Sequence, residues 1–237
     1  MYSDLFCKVY NVFGWNYYPE IFGQQLVQWL KNKAFAPGSA LDLACGTGIL
    51  CQILADQEIR TTGMDLSPGM IEIARKADGR ILYEIGDMTT YHPAQPVDLV
   101  TCTGDAVNHI PDPEAVQQIF DHVHSYLNPG GWFVFDLLNE QEVSTSEPFE
   151  MDFDENTRVW FQMTRPEVDR VNLKIRVYEQ GILAFEENIR ERIYEPERIL
   201  RMLRRSGFIN VQCADRLLKE ANPGTTWFVT AQKEDGK

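Results

Sequence analysis

Residues 40–50 constrain the fold of this chain most, because an apolar run leads there into a pair of glycines and then into a helical pattern. Residues 40–44 are nearly all apolar, which is typical of a buried strand in a parallel sheet, and Asp42 interrupts that run. Apolar residues recur at helical spacing over 49–54, so the chain must turn sharply at 46–48. Glycine reaches dihedrals closed to other residues and lets a ligand lie against the backbone. The stretch therefore predicts a loop that cradles a cofactor; a plain tight turn is the simpler alternative.

Length and charge narrow the class of protein. The 237 residues suit one large domain, or one domain that carries an inserted subdomain. The net charge of −13 repels phosphate backbones, so nucleic acid is not an expected partner. The five cysteines contain no C-x-x-C pair, which predicts reduced thiols in a cytoplasmic protein. No basic segment followed by an apolar one opens the chain, and no long uncharged apolar span occurs, so no membrane partner is expected.

Strand and helix patterns alternate five times up to Asp136, which predicts a parallel sheet with helices on both faces. After the first strand, further strands are predicted at residues 60–65, 81–85, 97–102 and 132–136, with a turn at 128–131. Asp65 ends the second strand, where a carboxylate can accept both hydroxyls of a ribose. A further helix and a closing pair of strands, at 208–214 and 225–231, complete the core, the last strand being antiparallel to its neighbours.

The region between these two parts of the core has a different character. Residues 141–154 are acidic and loop-like, whereas 171–178 alternate strictly between apolar and polar, the mark of a strand with one wet face. Residues 158–164 and 187–194 behave similarly. The predicted domains are an aromatic-rich helical lid segment at 1–36, a core at 37–140 and 195–237, and an inserted antiparallel β subdomain at 141–194. A role of the insert in stability or in a homodimer is left open.

Three short motifs carry a resemblance to a known family. The run Asp42-Leu43-Ala44-Cys45-Gly46-Thr47-Gly48 resembles the first signature of the class I S-adenosylmethionine-dependent methyltransferases, an acid followed by small residues and G-x-G. Residues 63–70 and the pair Asp87-Met88 resemble the second and third signatures, in the same order. The resemblance implies an α/β, Rossmann-like seven-stranded sheet in the order 3-2-1-4-5-7-6, with an inserted antiparallel β lid. It also implies S-adenosylmethionine as the cofactor, S-adenosylhomocysteine as its product, and no metal.

Site residues follow from the same resemblance. The cofactor-binding positions that it implies are Tyr10, Tyr18, Asp42, Ala44, Cys45, Gly46, Gly48, Asp65, Leu66, Met70, Asp87, Met88 and Thr103. Among these, Asp65 would hold the ribose, Asp87 would meet the adenine amino group, and Leu66 and Met70 would border the adenine. The two tyrosines would lie near the methionine portion, in an N-terminal segment folded over the cofactor.

The methyl acceptor is expected to be an amine or a hydroxyl of a small molecule, as in the amino-sugar and glycine N-methyltransferases that the chain resembles. Amino-sugar enzymes carry a histidine in the loop after the fourth strand, where this chain has His109, and imidazole titrates in the range needed to take a proton from an ammonium group. A plain loop histidine is the alternative. In the insert, Arg190, Arg192 and Tyr194 share a face and are candidates to contact an acidic group of the substrate.

Two other functional classes remain open. An NAD-dependent oxidoreductase would use the same acid after the second strand, but its G-x-G-x-x-G fingerprint requires glycine where this chain has Cys51. A non-catalytic S-adenosylmethionine-binding module would bind the cofactor without turnover.

Overall fold

The computed structural model describes residues 3–141, 143, 145, 147–218 and 226–236. Its helices are α1 (Asp4–Tyr10), α2 (Tyr17–Asn32), α3 (Ile49–Ala55), α4 (Pro68–Ala77), α5 (Pro113–Tyr126) and α6 (Pro196–Arg205). Its strands are β1 (Ser39–Leu43), β2 (Arg60–Asp65), β3 (Leu82–Ile85), β4 (Val97–Cys102), β5 (Leu127–Leu138), β6 (Phe149–Asp152), β7 (Thr157–Glu167), β8 (Arg170–Glu179), β9 (Ile182–Arg192), β10 (Ile209–Ala214) and β11 (Thr226–Gln232).

Seven strands form the central sheet, in the order β10-β11-β5-β4-β1-β2-β3. Strands β1 to β5 pair in parallel, whereas β11 is antiparallel to both β5 and β10. Numbered by their succession within this sheet, the strands have the order 3-2-1-4-5-7-6, so the predicted fold is confirmed. Every residue of β1 is buried, which explains its continuous apolar run. Strand order reverses between β1 and β4, and open α/β sheets bind ligands beyond the carboxyl ends of their strands at such a point.

A second sheet, which we call the lid sheet, consists of the antiparallel strands β6-β7-β8-β9. It confirms the inserted antiparallel element. Its inner face packs against the N-terminal helix and the core, since Val159 and Ile175 share one buried cluster with Phe6 of α1 and Met70 of α4. This apolar contact holds α1 between the two sheets.

Two local predictions need correction, and both concern β-structure. Residues 141–154 were expected to be a loop, but β6 lies within them and pairs with β7. Residues 128–131 were expected to be a turn before the fifth strand, but β5 already begins at Leu127, which pairs with Val97. Gly130 has a φ of +76° and donates its N–H to backbone carbonyls near the C-terminal end, so the strand passes through an irregularity there. Thr225, the predicted start of the last strand, lies outside the described residues.

The N-terminal segment contains the helices α1 and α2, and α2 begins at Tyr17. Its inner face buries Phe22 and Trp29, and the Trp29 ring meets the edge of Trp132 of β5 with centroids 5.0 Å apart. These contacts fasten the segment to the sheet, as the abundance of aromatic residues suggested.

Candidate active site

A cavity of about 530 Å³ lies at the carboxyl ends of the parallel strands, within the range of volumes typical of small-molecule sites. Three parts of the fold line it. The core contributes the loops that follow β1, β2, β3 and β4, the N-terminal segment contributes Tyr10 and Pro19, and the lid sheet contributes residues 187–190 of β9. The cavity is therefore closed jointly by the two sheets and α1.

The glycine loop presents backbone to this cavity at one position. Gly46 and Gly48 have φ values of +54° and +82°, a conformation that favours glycine. A Cβ atom on Gly46 would meet nothing within 4 Å, so this residue leaves open space on the cavity side. A Cβ atom on Gly48 would run into the phenol of Tyr83. The first glycine thus leaves room for a ligand, whereas the second makes room for a packed side chain.

Asp65 links the glycine loop to the start of α4. Its Oδ2 accepts the N–H of Gly46 at 2.9 Å and its Oδ1 accepts the N–H of Ser67 at 2.8 Å. Ser67 in turn caps α4, and its Oγ accepts the Met70 N–H at 3.4 Å. Burial raises the pKa of Asp65, although the two amides act in the opposite direction. Each carboxylate oxygen has two lone pairs, so both can accept a further hydrogen bond from a ligand in the cavity.

The structure places most of the expected cofactor contacts on the cavity wall. They are Tyr10, Ala44, Cys45, Gly46, Asp65, Leu66, Met70, Asp87, Met88 and Thr103. The wall near Asp87 is held by a local turn, in which Thr89 donates both its N–H and its hydroxyl to Asp87 Oδ1, at 2.9 and 2.7 Å.

Three other expected cofactor residues, Asp42, Tyr18 and Gly48, are not on the wall of the cavity. Asp42 is only 1% exposed and accepts hydrogen bonds from Thr101 Oγ1 at 2.7 Å and from Cys51 Sγ at 3.5 Å. Burial raises its pKa to about 6. It therefore ties β1 to β4 and α3 from behind the glycine loop.

Asp136 is a buried acid near the end of β5 for which the sequence analysis proposed no role. Its Oδ2 accepts the hydroxyl of Tyr18 at 2.9 Å and the backbone N–H of Asp105 at 3.1 Å. Burial, followed by the charge of Asp105, raises its pKa to about 7. Asp136 thereby joins α2 to the loop after β4. The signal that could have found it is an acid at the carboxyl end of a strand that is otherwise apolar.

His109 lines the cavity and lies at the end of the 3₁₀ turn Ala106–His109. Its Nε2 is 3.5 Å from Asp105 Oδ1 and 3.5 Å from Glu191 Oε1. Burial acts to lower the pKa of His109, but the hydrogen bond and charge of Asp105 and the charge of Glu191 outweigh it, and the pKa is raised. The ligand atoms of these three residues lie within 4.8 Å of one another, close enough to share a metal ion. Sequence reasoning missed both carboxylates.

The three expected substrate contacts on the insert separate in the structure. Arg190 lines the cavity. Arg192 instead donates from Nη1 to the carbonyl of Pro111 at 2.8 Å and pairs with Asp169 at 2.9 Å. Tyr194 lies beyond the end of β9, where its hydroxyl donates to the carbonyl of Ile110. Arg192 and Tyr194 therefore attach the lid sheet to the loop that follows His109.

Comparison with known proteins relates this site to a family. Residues 40–131 match a family model described as a methyltransferase domain. A ubiquinone biosynthesis O-methyltransferase from Thiobacillus denitrificans is 31% identical over 125 residues, which are 50% of this chain and 52% of that protein. The chain thus spans about half the length of the curated relatives that it matches.

Solved structures extend the likeness to the whole fold. An S-adenosylmethionine-dependent methyltransferase from Clostridium acetobutylicum superposes with a TM-score of 0.78 at 24% identity, covering 90% of this chain and 91% of that one. An amino pentose methyltransferase from Micromonospora echinaspora, involved in calicheamicin biosynthesis, gives 0.76 at 20% identity, covering 98% of both chains.

In the part of the chain that the structure describes, no helix combines the length and apolar character needed to cross a membrane. Residues 40–131 are thus similar to a methyltransferase domain, and the chain as a whole has the fold of an S-adenosylmethionine-dependent methyltransferase of known structure.

Proposed function

We propose that this protein transfers a methyl group from S-adenosylmethionine to an amine, or to a hydroxyl, of a small molecule. The observation that carries the proposal is one cavity whose wall combines the open backbone of Gly46 and the carboxylate of Asp65 with the side chains of His109 and Arg190. The family model and the fold support the same reading.

The residues present fit the cofactor. Gly46 leaves open space, Asp65 offers two oxygens to a ribose, and Asp87 lies on the same wall. The thioether of Met70 and the side chain of Leu66 add apolar surface beside them. When bound, S-adenosylmethionine would supply an electrophilic methyl group to a lone pair of the acceptor, with the electron pair of the methyl–sulfur bond left on sulfur.

For methyl transfer, the main tasks of the protein are to align the acceptor with the methyl group and to exclude water. Tyr10 from α1 and residues 187–190 from β9 line the same cavity as the core loops, so all three would surround the acceptor. Alignment of two reactants can contribute about 7–11 kcal/mol. The lid sheet and α1 are placed to provide it.

An amine acceptor must lose a proton before its lone pair can attack. His109 lies on the cavity wall and is flanked by two carboxylates, a setting that favours binding of a cation and removal of its proton. Arg190 is proposed to contact an acidic group of the same substrate. A cytoplasmic location belongs to this proposal, and the five cysteines, which contain no C-x-x-C pair, support it.

Two measurements test the proposed function. Calorimetry should show binding of S-adenosylmethionine and S-adenosylhomocysteine but not of NADH. A library of small amines and hydroxyl compounds should then release S-adenosylhomocysteine with at least one member. Binding of NADH in place of the sulfonium compound would contradict the proposal in favour of an oxidoreductase. Binding without release by any member would favour a non-catalytic module.

Replacement of His109 by Ala should lower turnover of an amine acceptor by about 10²- to 10⁴-fold, the usual contribution of a general base. The dissociation constant of S-adenosylmethionine should change little, because His109 is not among the residues proposed to hold it. His92→Ala is the matched control, since His92 is not on the wall of this cavity. Normal turnover in His109→Ala would remove this residue from the mechanism.

A further inference from the structure

We propose that Glu191 is a positioning residue for methyl transfer. Glu191 of β9 and Asp105 of the core form a pair of carboxylates beside His109. This pair holds the imidazole in the tautomer that can accept a proton. This inference rests on the proposed function, and it assigns Glu191 a role through His109. The base would then be assembled from both sheets, and would be complete only when the lid sheet is docked on the core.

The geometry places both carboxylates on one nitrogen. Asp105 Oδ1 and Glu191 Oε1 each lie 3.5 Å from Nε2 of His109. A neutral imidazole carries its proton on one nitrogen only, and two carboxylates beside Nε2 favour the proton there. Nδ1 is then the nitrogen that can accept a proton. An acid held behind an imidazole orients the ring and stabilises its protonated form in the same way in catalytic triads.

Hydrogen bonds around Glu191 hold this end of β9 against the core. The buried Asn108 donates from Nδ2 to the carbonyl of Arg192 at 2.7 Å, and its Oδ1 accepts the N–H of Leu138 at 3.1 Å. Arg192 reaches back to the carbonyl of Pro111, as described above. The residue that follows Glu191 is thus bonded to both sides of the turn that bears His109, which limits how far the carboxylate can move.

The position of Asp105 is also set by the core. Its φ of +51° is uncommon for a residue with a side chain, and its backbone N–H is bonded to Asp136. Asp136 therefore holds the loop in the conformation that brings the Asp105 side chain to His109. One carboxylate of the pair comes with the central sheet and the other with the lid sheet.

The surroundings of His109 are strongly acidic. Asp105 and Glu191 flank the ring, and Asp65 and Asp136 also contribute negative charge to this region. The phenol of Tyr10, which lies in the same region, is neutral. Burial, followed by the charge of Asp105, raises the pKa of Glu191, whereas the charge of a protonated His109 acts to lower it. Protonation of His109 therefore favours the ionised form of Glu191, and replacing this carboxylate by an amide should make His109 a weaker base.

The step that Glu191 supports is a simple proton transfer. An N–H bond of the ammonium substrate breaks, its electron pair stays on nitrogen, and the proton binds the imidazole, which becomes an imidazolium flanked by Asp105 and Glu191. The nitrogen lone pair is then available to the methyl group. The imidazolium later gives its proton to water.

The first test uses no substrate, so it stands even if no acceptor is known. The Cε1–H signal of His109 is titrated by NMR, with His109→Ala used to assign it among the four histidines of the chain. In Glu191→Gln the pKa of His109 should fall, because the imidazolium loses one negative neighbour. Glu186→Gln is the matched control, since Glu186 lies on the same strand and accepts from Arg176 Nε at 2.6 Å. An unchanged titration in Glu191→Gln would overturn the proposal.

The second test uses an amine acceptor found in the library screen. Glu191→Gln should lower kcat by about 10- to 100-fold and shift the acidic limb of the kcat/KM profile to lower pH, and Glu191→Asp should recover part of the rate. In a His109→Ala background the same change should have less than about a 2-fold effect, because residues that act as a unit are not additive. An equal loss in both backgrounds would assign Glu191 a separate role. Activity that is lost in EDTA and restored by Mn²⁺ would also overturn the proposal, because the three residues would then bind a metal ion.

Discussion

At the scale of single residues, the role of an acid depends on which surface its carboxylate reaches. Asp42 lies within β1 and Asp65 ends β2, and the family resemblance implied a cofactor contact for both. In the folded chain Asp42 is bonded to Thr101 and Cys51 in the interior, whereas Asp65 lies on the cavity wall. The acid of the first signature therefore supports the loop, and the acid of the second is the one that a ligand can reach.

Replacement of Asp65 by Asn should weaken S-adenosylmethionine binding by about 10- to 100-fold, corresponding to about 1.5–3 kcal/mol for a hydrogen bond to a charged group. The amide NH₂ of Asn would face the backbone N–H of Gly46 or of Ser67, so two donors would meet. The variant would also lack the negative charge that attracts a ribose hydroxyl. Calorimetry measures the change. Asp56→Asn is the control, because Asp56 is exposed and pairs only with Arg80 among the salt bridges of the described residues. Equal affinity in Asp65→Asn and wild type would place the ribose elsewhere.

At the scale of the element, the strand–loop–helix unit at β1 and α3 divides its work between two glycines. Both have positive φ, but only Gly46 has open space where a side chain would project. Gly48 is the residue before α3, and it is packed under the ring of Tyr83 from β3. The first glycine thus gives a ligand access to the loop. The second glycine lets β1, α3 and β3 pack together.

Alanine at each of these positions should separate the two roles. Gly48→Ala should destabilise the fold by more than the approximately 1–2 kcal/mol cost of a left-handed residue, because its Cβ would also clash with Tyr83. Gly46→Ala should cost only that backbone penalty but should weaken S-adenosylmethionine binding. Urea denaturation and calorimetry on both variants make the comparison. The division of roles is wrong if Gly46→Ala is the less stable of the two variants.

At the scale of the whole molecule, the fold buries acids that would be ionised in water. Asp42 and Asp136 are each almost completely buried, and their pKa values are raised to about 6 and about 7. In the unfolded chain both carboxyl groups should titrate at about pH 4. Between pH 4 and 7 the folded protein therefore binds more protons than the unfolded chain, and these two groups make it less stable as the pH rises.

The variant Asp136→Asn should reveal this dependence. At about pH 5 the wild-type carboxyl is largely protonated in the folded state, whereas at about pH 8 it is ionised and buried. The free energy of unfolding of the variant, relative to wild type, should therefore be higher at pH 8 than at pH 5. Urea denaturation at both values measures it, with Asp152→Asn as an exposed control. A difference that does not change with pH would show that Asp136 titrates normally.

Local patterns in the sequence determined the core of this protein. The buried strand at 40–44, the turn at the glycine pair and the helix after it depend on residues close together in the chain, and the structure has each of them where it was predicted. The order of three motifs, matched to a known family, then determined the order of strands in the sheet. Period-two alternation likewise predicted β8, because one of its faces packs on the core side and the other does not.

Only the tertiary structure decided which side chains meet. Arg192 and Tyr194 were expected to face a substrate, but carbonyl groups from the loop after His109 accept their hydrogen bonds. Glu191, the residue before Arg192, reaches His109 instead. Such contacts join residues far apart in the chain across two separately formed sheets. Since no local pattern of either sheet sets how the two dock, the environment of His109 follows only from the packed molecule.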